Sequence, residues 1–320
     1  MRILYLDGAS GVSGDMLLGA LVDLGLDLKV LRERLAALPL KGYTFTSREV
    51  ERSYFGARKV DVKVKGRHGH RGAREIRSII QGSSLSQTVK EASLKIFERL
   101  IEVEARIHRI SPQKVHLHEV GAVDAIIDVV GTVIGLHEIL GAGGRMVCAP
   151  LNVGSGTIKM DHGVLPVPAP ATAALLKGIP IYSAGPSAEL VTPTGAAIVS
   201  TLASSFGPPP EMTIERIGYG AGDRDHPGHP NVLRALLGLS TPQMGQSGGE
   251  VLVLECTIDD MNPQGYGYLM ERLFAAGAHE VFYTPVQMKK NRPGTLVTVV
   301  CPAGLLHLMA DVIFEESTTI

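Results

Sequence analysis

Several absences in the 320-residue sequence narrow the range of functions. Trp is absent and aromatic residues make up only 5% of the chain, which argues against the base-stacking surfaces of single-strand nucleic-acid binders. Acidic and basic residues number 32 and 31, without a long run of one sign, so neither nucleic acid nor a membrane surface is an expected partner. The sequence also lacks an apolar run of about 18 residues and a signal-peptide pattern. We therefore expect a cytoplasmic protein.

Cysteine is scarce as well. Cys148, Cys256 and Cys301 lie far apart, and no C-x-x-C pair occurs. This spacing argues for a reducing compartment and against a zinc knuckle or a disulfide framework. The chain is long enough for about two domains with sizeable cores.

What the sequence does contain centres on residues 116–128, HLHEVGAVDAIID. If the start of this segment is extended, His116 and His118 project from one face, with Glu119 behind them at the start of the helix. The helix that follows is apolar almost all round, yet it carries Asp124 and Asp128 on one face. A carboxylate in such a helix is costly unless it meets a cation, a metal or several donors. The alternative to a ligand site, with equal weight, is that the two histidines are only hydrogen-bonded and that Asp124 and Asp128 cap neighbouring loops.

A glycine-rich loop near the N-terminus follows a predicted strand, Arg2 to Leu6, and precedes a helix that reaches about Leu24. Backbone N–H groups at such a helix start can hold an anion, and serine hydroxyls add donors. The candidate substrate-binding residues here are Gly8, Ser10, Gly11, Ser13, Gly14 and Asp15. The acidic residues of the loop leave a metal or a cationic ring as alternatives, and a tight turn with a serine cap has about equal weight.

A second helix start lies at Glu189-Leu-Val-Thr-Pro-Thr-Gly195. Thr192 is predicted to cap a helix that Pro193 opens and that runs to about Ala203. Thr192 and Thr194 are therefore further candidates for anion binding. We expect His162 and Glu189 to face a shared cleft.

Other segments complete the N-terminal domain. Alternation predicts strands at 45–50 and 59–65, a helical pattern covers 73–110, and a strand is predicted at 145–153. Two further strands, 214–220 and 232–237, flank a loop rich in Asp, His, Gly and Pro that we interpret as a turn.

The C-terminal segment has the order strand, helix, strand, strand, helix, which predicts an incomplete ferredoxin-like βαββα unit that stops before its last strand. Asp259, Asp260 and Asn262 follow the first strand, and oxygen ligands of this kind suit Mg²⁺ or Mn²⁺. Lys289, Lys290 and Arg292 lie in one tight loop and suit a polyphosphate. We therefore predict an α/β (mixed α+β) protein: an N-terminal α/β domain with a buried central helix at 1–238, a linker at 239–249, and a C-terminal nucleotide-binding domain at 250–320.

Eight motifs, in order along nearly the whole chain, together resemble the nickel-insertion protein of nickel-pincer cofactor biosynthesis. They are SGVSGDM at 10–16, HLHEVGAVD at 116–124, NVGSG at 152–156, HGVLPVPAPAT at 162–172, ELVTPTGA at 189–196, IGYGAG at 217–222, IDDMNP at 258–263 and MKKNRPG at 288–294. The resemblance implies a nickel chelatase or cyclometallase, formally a lyase, that takes pyridinium-3,5-bisthiocarboxylic acid mononucleotide and Ni²⁺. It also implies that the enzyme consumes CTP, with CMP and pyrophosphate as products, and forms carbon–nickel and sulfur–nickel bonds. It also implies that the family continues past Ile320.

With this resemblance, His116, His118, Glu119, Asp124 and His162 become the candidate nickel site, since imidazole and carboxylate ligands suit Ni²⁺. Asp259 and Asp260 would hold Mg²⁺ or Mn²⁺ on CTP, with Asn262 and the three basic residues of the 288–294 loop on the nucleotide. Expected partners are the mononucleotide substrate, further copies of the chain in a homo-oligomer, and an enzyme that uses the finished cofactor. A non-enzymatic nickel chaperone or storage protein with a nucleotide-sensing domain is the alternative, and a nucleotidyltransferase without a nickel requirement is a third reading.

Overall fold

The computed structural model of the protein describes residues 1–64, 71–115, 117, 122–160, 163–226, 228–240 and 251–319. The chain divides into two compact units, Met1–Thr241 and Pro242–Ile320. None of the described helices is both long and apolar enough to cross a bilayer. The architecture is mixed α/β, as the sequence predicts.

The first unit is built around one large sheet. Its described strands are β1 Arg2–Asp7, β2 Tyr43–Arg52, β3 Phe55–Val64, β4 Arg145–Cys148, β5 Leu151–Asn152, β6 Thr157–Met160, β7 Gly163–Pro166, β8 Ile181–Tyr182, β9 Ala203–Phe206, β10 Met212–Ala221 and β11 Val232–Ser240. The large sheet has the order β2-β3-β10-β11-β1-β4-β9, while β5 pairs with β8 and β6 with β7. β1 runs parallel to β4 and antiparallel to β11, so the sheet is mixed.

Helices of the first unit cover the apolar faces that the sheet presents. They are α1 Gly14–Asp23, α2 Leu28–Leu35, α3 Ala73–Gln81, α4 Gln87–His108, α5 Val123–Leu140, α6 Pro170–Leu175 and α7 Pro193–Leu202. Helix α5 is the predicted buried helix, since most of its residues are shielded from solvent. It packs closely on α1, where a Cβ at Gly131 would lie 3.0 Å from Leu18. This contact fixes the two helices with respect to each other.

Helix α1 also lies unusually close to the sheet. A Cβ on Gly220 of β10 would come within 1.8 Å of the carbonyl oxygen of Met16, which no real side chain tolerates. Gly220 of the IGYGAG motif is therefore required for the close packing of α1 against the backbone of β10. The close approach sets the height of the α1 N-terminus above strands β3 and β10.

The structure corrects two predicted elements. The helical pattern at 73–110 is broken into α3 and α4, because Gly82 ends the first helix and Ser86 accepts from the N–H of Val89 to cap the second. The predicted strand at 145–153 is interrupted between β4 and β5, where Pro150 has no N–H to donate to a ladder. In addition, β11 continues to Ser240, and the rest of the predicted linker lies outside the described residues.

The second unit has strands β12 Val251–Ile258, β13 Glu280–Met288 and β14 Arg292–Pro302, and helices α8 Gly265–Ala275 and α9 Leu306–Glu316. Its sheet has the order β12-β14-β13, with both pairs antiparallel. The chain order is thus the predicted βαββα. Leu269, Leu273 and Met309, on the two helices, form a separate core with Val297 and Val299 of the central strand.

Candidate functional site

A polar cleft of about 560 Å³ opens in the first unit where several predicted motifs meet. Its walls include the start of α1, strand β3, the N-terminal half of α5, strand β6 and the start of α7. The charged residues that line it are Asp15, Lys59, Asp61, Lys63, Asp124, Asp128, Lys159, Glu189 and Asp223. Six carboxyl groups thus face three lysines, so the cleft favours a ligand that carries positive charge.

Lys59 is the most buried charge of the cleft, with a side chain only 2% exposed. Its Nζ makes an ion pair with Asp15 of α1 and another, 2.7 Å long, with Oδ1 of Asp223 in the loop after β10. Burial alone would lower the pKa of Lys59, but the two carboxylates outweigh it and the pKa is raised. Lys59 is therefore a fixed cation that holds three segments of the cleft together.

Asp128 occupies the side of α5 that faces the cleft. Its Oδ1 atom is shielded from solvent and has no hydrogen-bond partner among the described residues. Burial raises the pKa of Asp128 well above its usual range, Asp15 and Asp124 raise it further, and Lys59 opposes the shift. The predicted cost of a carboxyl group in this apolar helix is thus real and is only partly offset by the nearby lysine.

Part of the N-terminal glycine loop faces the cleft, and part packs against the protein. Ser13, Gly14 and Asp15 line the cleft, and the Ser13 hydroxyl donates to Asp15 instead of capping α1. By contrast, Ser10 is buried and donates to the carbonyl oxygen of Pro230 at 2.6 Å. Gly11 has a φ of +78°, and a Cβ there would lie 2.0 Å from the Leu190 oxygen.

Gly8 is less tightly enclosed, because a Cβ on it would lie 2.7 Å from the end of the Leu151 side chain. These contacts give Gly8, Ser10 and Gly11 packing roles and leave their assignment to substrate as a prediction.

The second predicted helix start lines the same cleft. Thr192 accepts from the N–H of Gly195 at 3.2 Å, which confirms the predicted cap of α7. The N–H of Thr192 itself donates to the carbonyl oxygen of Val12 at 3.1 Å, so the two helix starts are tied together. Thr192 and Thr194 line the cleft together with Glu189, as expected for residues of one site. Two helix N-termini therefore converge on one opening, where an anionic group is favoured.

Most of the predicted nickel ligands, His116, His118, Glu119 and His162, lie outside the described residues. Asp124, the remaining candidate, is exposed in the first turn of α5 and lines the cleft. Within the described part of the chain, no group of three or more His, Cys, Asp or Glu is arranged to hold a metal ion. The predicted nickel ligand set therefore stays a prediction.

The structure brings the acidic and basic loops of the second unit together. An ion pair of 3.4 Å joins Arg292 to Asp259, and Asp260 accepts a hydrogen bond from Thr318. Asn262 accepts from the N–H of Gln264 at 3.1 Å and so shapes the turn into α8. Lys289 and Lys290, in the turn between β13 and β14, are exposed. The end of β12 lies beside the start of β14, its antiparallel neighbour, which explains why Asp259 and Arg292 meet.

Five charged residues of the cleft were not predicted from the sequence, namely Lys59, Asp61, Lys63, Lys159 and Asp223. Lys59 lies in an alternating strand and Asp223 in a loop that reads as a turn, and their contact spans 164 positions. The sequence signal for Asp128 was present, since a carboxylate inside an apolar helix is costly. That signal indicates the residue but not its partners.

The fold and the cleft together define a two-unit α/β protein whose larger unit offers a carboxylate-rich site beside two helix N-termini. Residues 4–320 match the nickel insertion protein family, and the chain belongs to this family. A protein of Desulfitobacterium hafniense named pyridinium-3,5-bisthiocarboxylic acid mononucleotide nickel insertion protein is 49% identical over 324 residues, which cover 100% of this chain and 80% of that protein.

A putative nickel insertion protein of Citrifermentans bemidjiense is 48% identical over 321 residues, which cover 100% of this chain and 82% of the relative. Among solved structures, the C-terminal domain of a cyclometallase involved in the synthesis of the NPN cofactor of lactate racemase shares 46% identity. That match covers 22% of this chain and 49% of the other, with a TM-score of 0.22.

Proposed function

We propose that this protein inserts Ni²⁺ into pyridinium-3,5-bisthiocarboxylic acid mononucleotide and consumes CTP in doing so. The observation that carries the proposal is the cleft of the first unit, in a chain that belongs to the nickel insertion family. The substrate has a cationic ring, two thiocarboxylates and a phosphate, so it needs a site with both kinds of charge. Carboxylates beside helix N-termini meet that need.

Within the cleft, the proposal assigns the phosphate to the side formed by Ser13, Thr192 and Thr194. Hydroxyl groups and helix N-termini favour an anion there. The ring and the arriving Ni²⁺ are assigned to the carboxylate side, where the predicted nickel ligand Asp124 lies. Along the chain, His118 precedes Asp124 by six positions and His162 follows Lys159 by three, so the predicted ligands adjoin residues that line the cleft.

The second unit is assigned to CTP. Asp259 and Asp260 supply hard oxygen ligands for Mg²⁺ or Mn²⁺, and Lys289, Lys290 and Arg292 supply positive charge for the triphosphate. The ion pair between Arg292 and Asp259 keeps the two loops adjacent before nucleotide arrives. Reaction at the α-phosphate would release pyrophosphate, whose charge the basic loop stabilises.

Mass spectrometry of the small-molecule fraction tests the proposal directly. The protein is incubated with the mononucleotide, Ni²⁺, Mg²⁺ and CTP, and matched incubations omit the nickel or the CTP. We expect the nickel-bearing product and CMP in near-stoichiometric amounts only in the complete mixture. Product formed equally well without CTP would refute the nucleotide role, and CMP transfer without nickel would indicate a nucleotidyltransferase. Nickel bound by the protein but never transferred to the ring would indicate a chaperone.

A further inference from the structure

Asp128 differs from the other carboxyl groups of the cleft in how the fold treats it. Asp15 and Asp223 bind Lys59, Asp61 binds Arg48 at 3.0 Å, and Asp124 is exposed. Asp128 is half-buried, and of the described side chains that line the cleft it alone has a solvent-shielded oxygen, Oδ1, without a hydrogen-bond partner. Such an atom is costly in a native protein and often marks a group that acts on a ligand.

The backbone of α1 holds this carboxyl group in place. A Cβ at Gly14 would lie 2.5 Å from Oδ2 of Asp128 and 2.6 Å from its Cβ, so the first residue of α1 is in direct contact with the side chain. On either side of it along α5, Ile127 and Val129 are fully buried in the core. Asp128 is therefore a rigidly supported group that faces an open cleft, which is the placement a reacting group requires.

The charges around Asp128 tune it as a base. Carboxylates face it from α1, from its own helix and from the loop after β10, namely Asp15, Asp124 and Asp223. Among the described residues, the Lys59 ammonium of β3 opposes their effect on the pKa of Asp128. Burial first, and then these carboxylates, raise its pKa. A carboxylate of raised pKa holds a proton more strongly than an ordinary aspartate, and general bases work best when their pKa approaches the working pH.

Nickel insertion that forms the carbon–nickel bond implied by the family resemblance requires such a base. The two thiocarboxylates at ring positions 3 and 5 flank C4, and a nickel–carbon bond at C4 replaces the C4–H bond. The electron pair of the C4–H bond becomes the C4–Ni bond, nickel remains divalent, and one proton must leave. No oxidant or reductant is needed.

We propose that Asp128 is the general base that removes the C4 proton as nickel bonds to the ring. The inference rests on the proposed function, because without nickel insertion there is no C4 proton to remove. Asp128 accepts the proton on the carboxyl group that faces the cleft and later releases it to solvent. Lys59 acts as a positioning residue that keeps Asp15, and with it the α1 start, beside Asp128.

The test compares Asp128→Asn with the wild type in single-turnover nickel insertion, using substrate with hydrogen or deuterium at C4. We expect the variant to form the nickel–carbon bond about 10²–10⁴-fold more slowly, as for loss of a general base. The dissociation constants of Ni²⁺ and substrate should change by less than about threefold, and Asp128→Glu should restore part of the rate. A larger C4 deuterium isotope effect in Asp128→Asn than in the wild type would show that proton removal has become the slow step.

Glu138→Gln is the matched control, because Glu138 is the carboxylate at the other end of α5 and pairs with Arg34 outside the cleft. It should insert nickel at the wild-type rate. Equal rates for Asp128→Asn and wild type would overturn the inference while leaving nickel insertion intact. Loss of Ni²⁺ affinity by more than about tenfold with an unchanged isotope effect would also overturn it, since Asp128 would then act as a ligand. If the wild type makes no nickel product, the proposed function fails and the inference fails with it.

Discussion

Replacement of Lys59 by methionine should destabilise the first unit strongly. The Lys59 side chain is 2% exposed, and its ammonium group pairs with Asp15, whose side chain is 22% exposed, and with Asp223, whose side chain is 83% exposed. Removal of one partner from a buried ion pair costs about 3–5 kcal/mol, since the remaining charge loses its compensation. Asp223 can regain water in the variant but Asp15 has little access to it, so we expect about 3 kcal/mol, at the lower end of that range.

Hydrogen exchange in increasing urea, read by mass spectrometry on peptides from α1 and β3, measures this loss in the first unit alone. That separation matters because two units need not unfold together. Lys63→Met is the matched control, because Lys63 lines the same cleft on the same strand but is exposed. It should change the free energy of unfolding by less than about 0.5 kcal/mol.

The effect of Lys59 should also be constant across neutral pH. Its pKa is raised in the folded protein, so its stabilising contribution is complete below the ordinary lysine pKa and is lost only as the pH rises through the folded value. A loss below about 1 kcal/mol for Lys59→Met would refute the reasoning, because it would mean that the desolvation of the three charges cancels their attraction.

Three further predictions concern the cleft, the glycine loop and the second unit. Because the pKa of Asp128 is raised on folding, the wild type should lose stability as the pH rises from the ordinary aspartate pKa through the folded value. Asp128→Asn should abolish that loss, and urea midpoints measured across this pH range would test it. Gly11→Ala should cost at least about 2 kcal/mol in thermal unfolding, because its φ is +78° and its Cβ would collide with Leu190. Replacement of both Asp259 and Asp260 by Asn should abolish CMP release while Ni²⁺ binding, measured by equilibrium dialysis, stays unchanged.

Local sequence signals predicted much of the fold because they report local physics. The cap of α7 was predictable because Thr192 and Pro193 act on the residues next to them. The burial of α5 followed from its continuous apolar character. The break between α3 and α4 was missed because apolar spacing continues across it, and only the stop at Gly82 and the cap at Ser86 decide it.

The candidate site was harder to predict because its contacts are long-range. Asp15 and Lys59 are 44 positions apart, and Asp223 is a further 164 positions along the chain. No periodicity within one element can report which distant carboxylate meets a buried lysine. The glycine loop shows the opposite error. Its composition suits a phosphate, yet Gly11 is required because the backbone of Leu190 packs against it, and the sequence around Gly11 does not reveal that contact.

Helix α1 links the stability of the first unit to the chemistry of its cleft. Gly14 supports Asp128, Asp15 holds Lys59, and Gly220 lets the helix lie against the sheet. A substitution that shifts α1 therefore changes both the fold and the cleft, so a loss of nickel insertion in such a variant does not by itself identify a catalytic group. Asp128→Asn avoids this ambiguity, because it removes a carboxyl group whose ionised form the fold disfavours and keeps the shape of the side chain. A variant that becomes more stable while it loses insertion separates the chemistry from the packing.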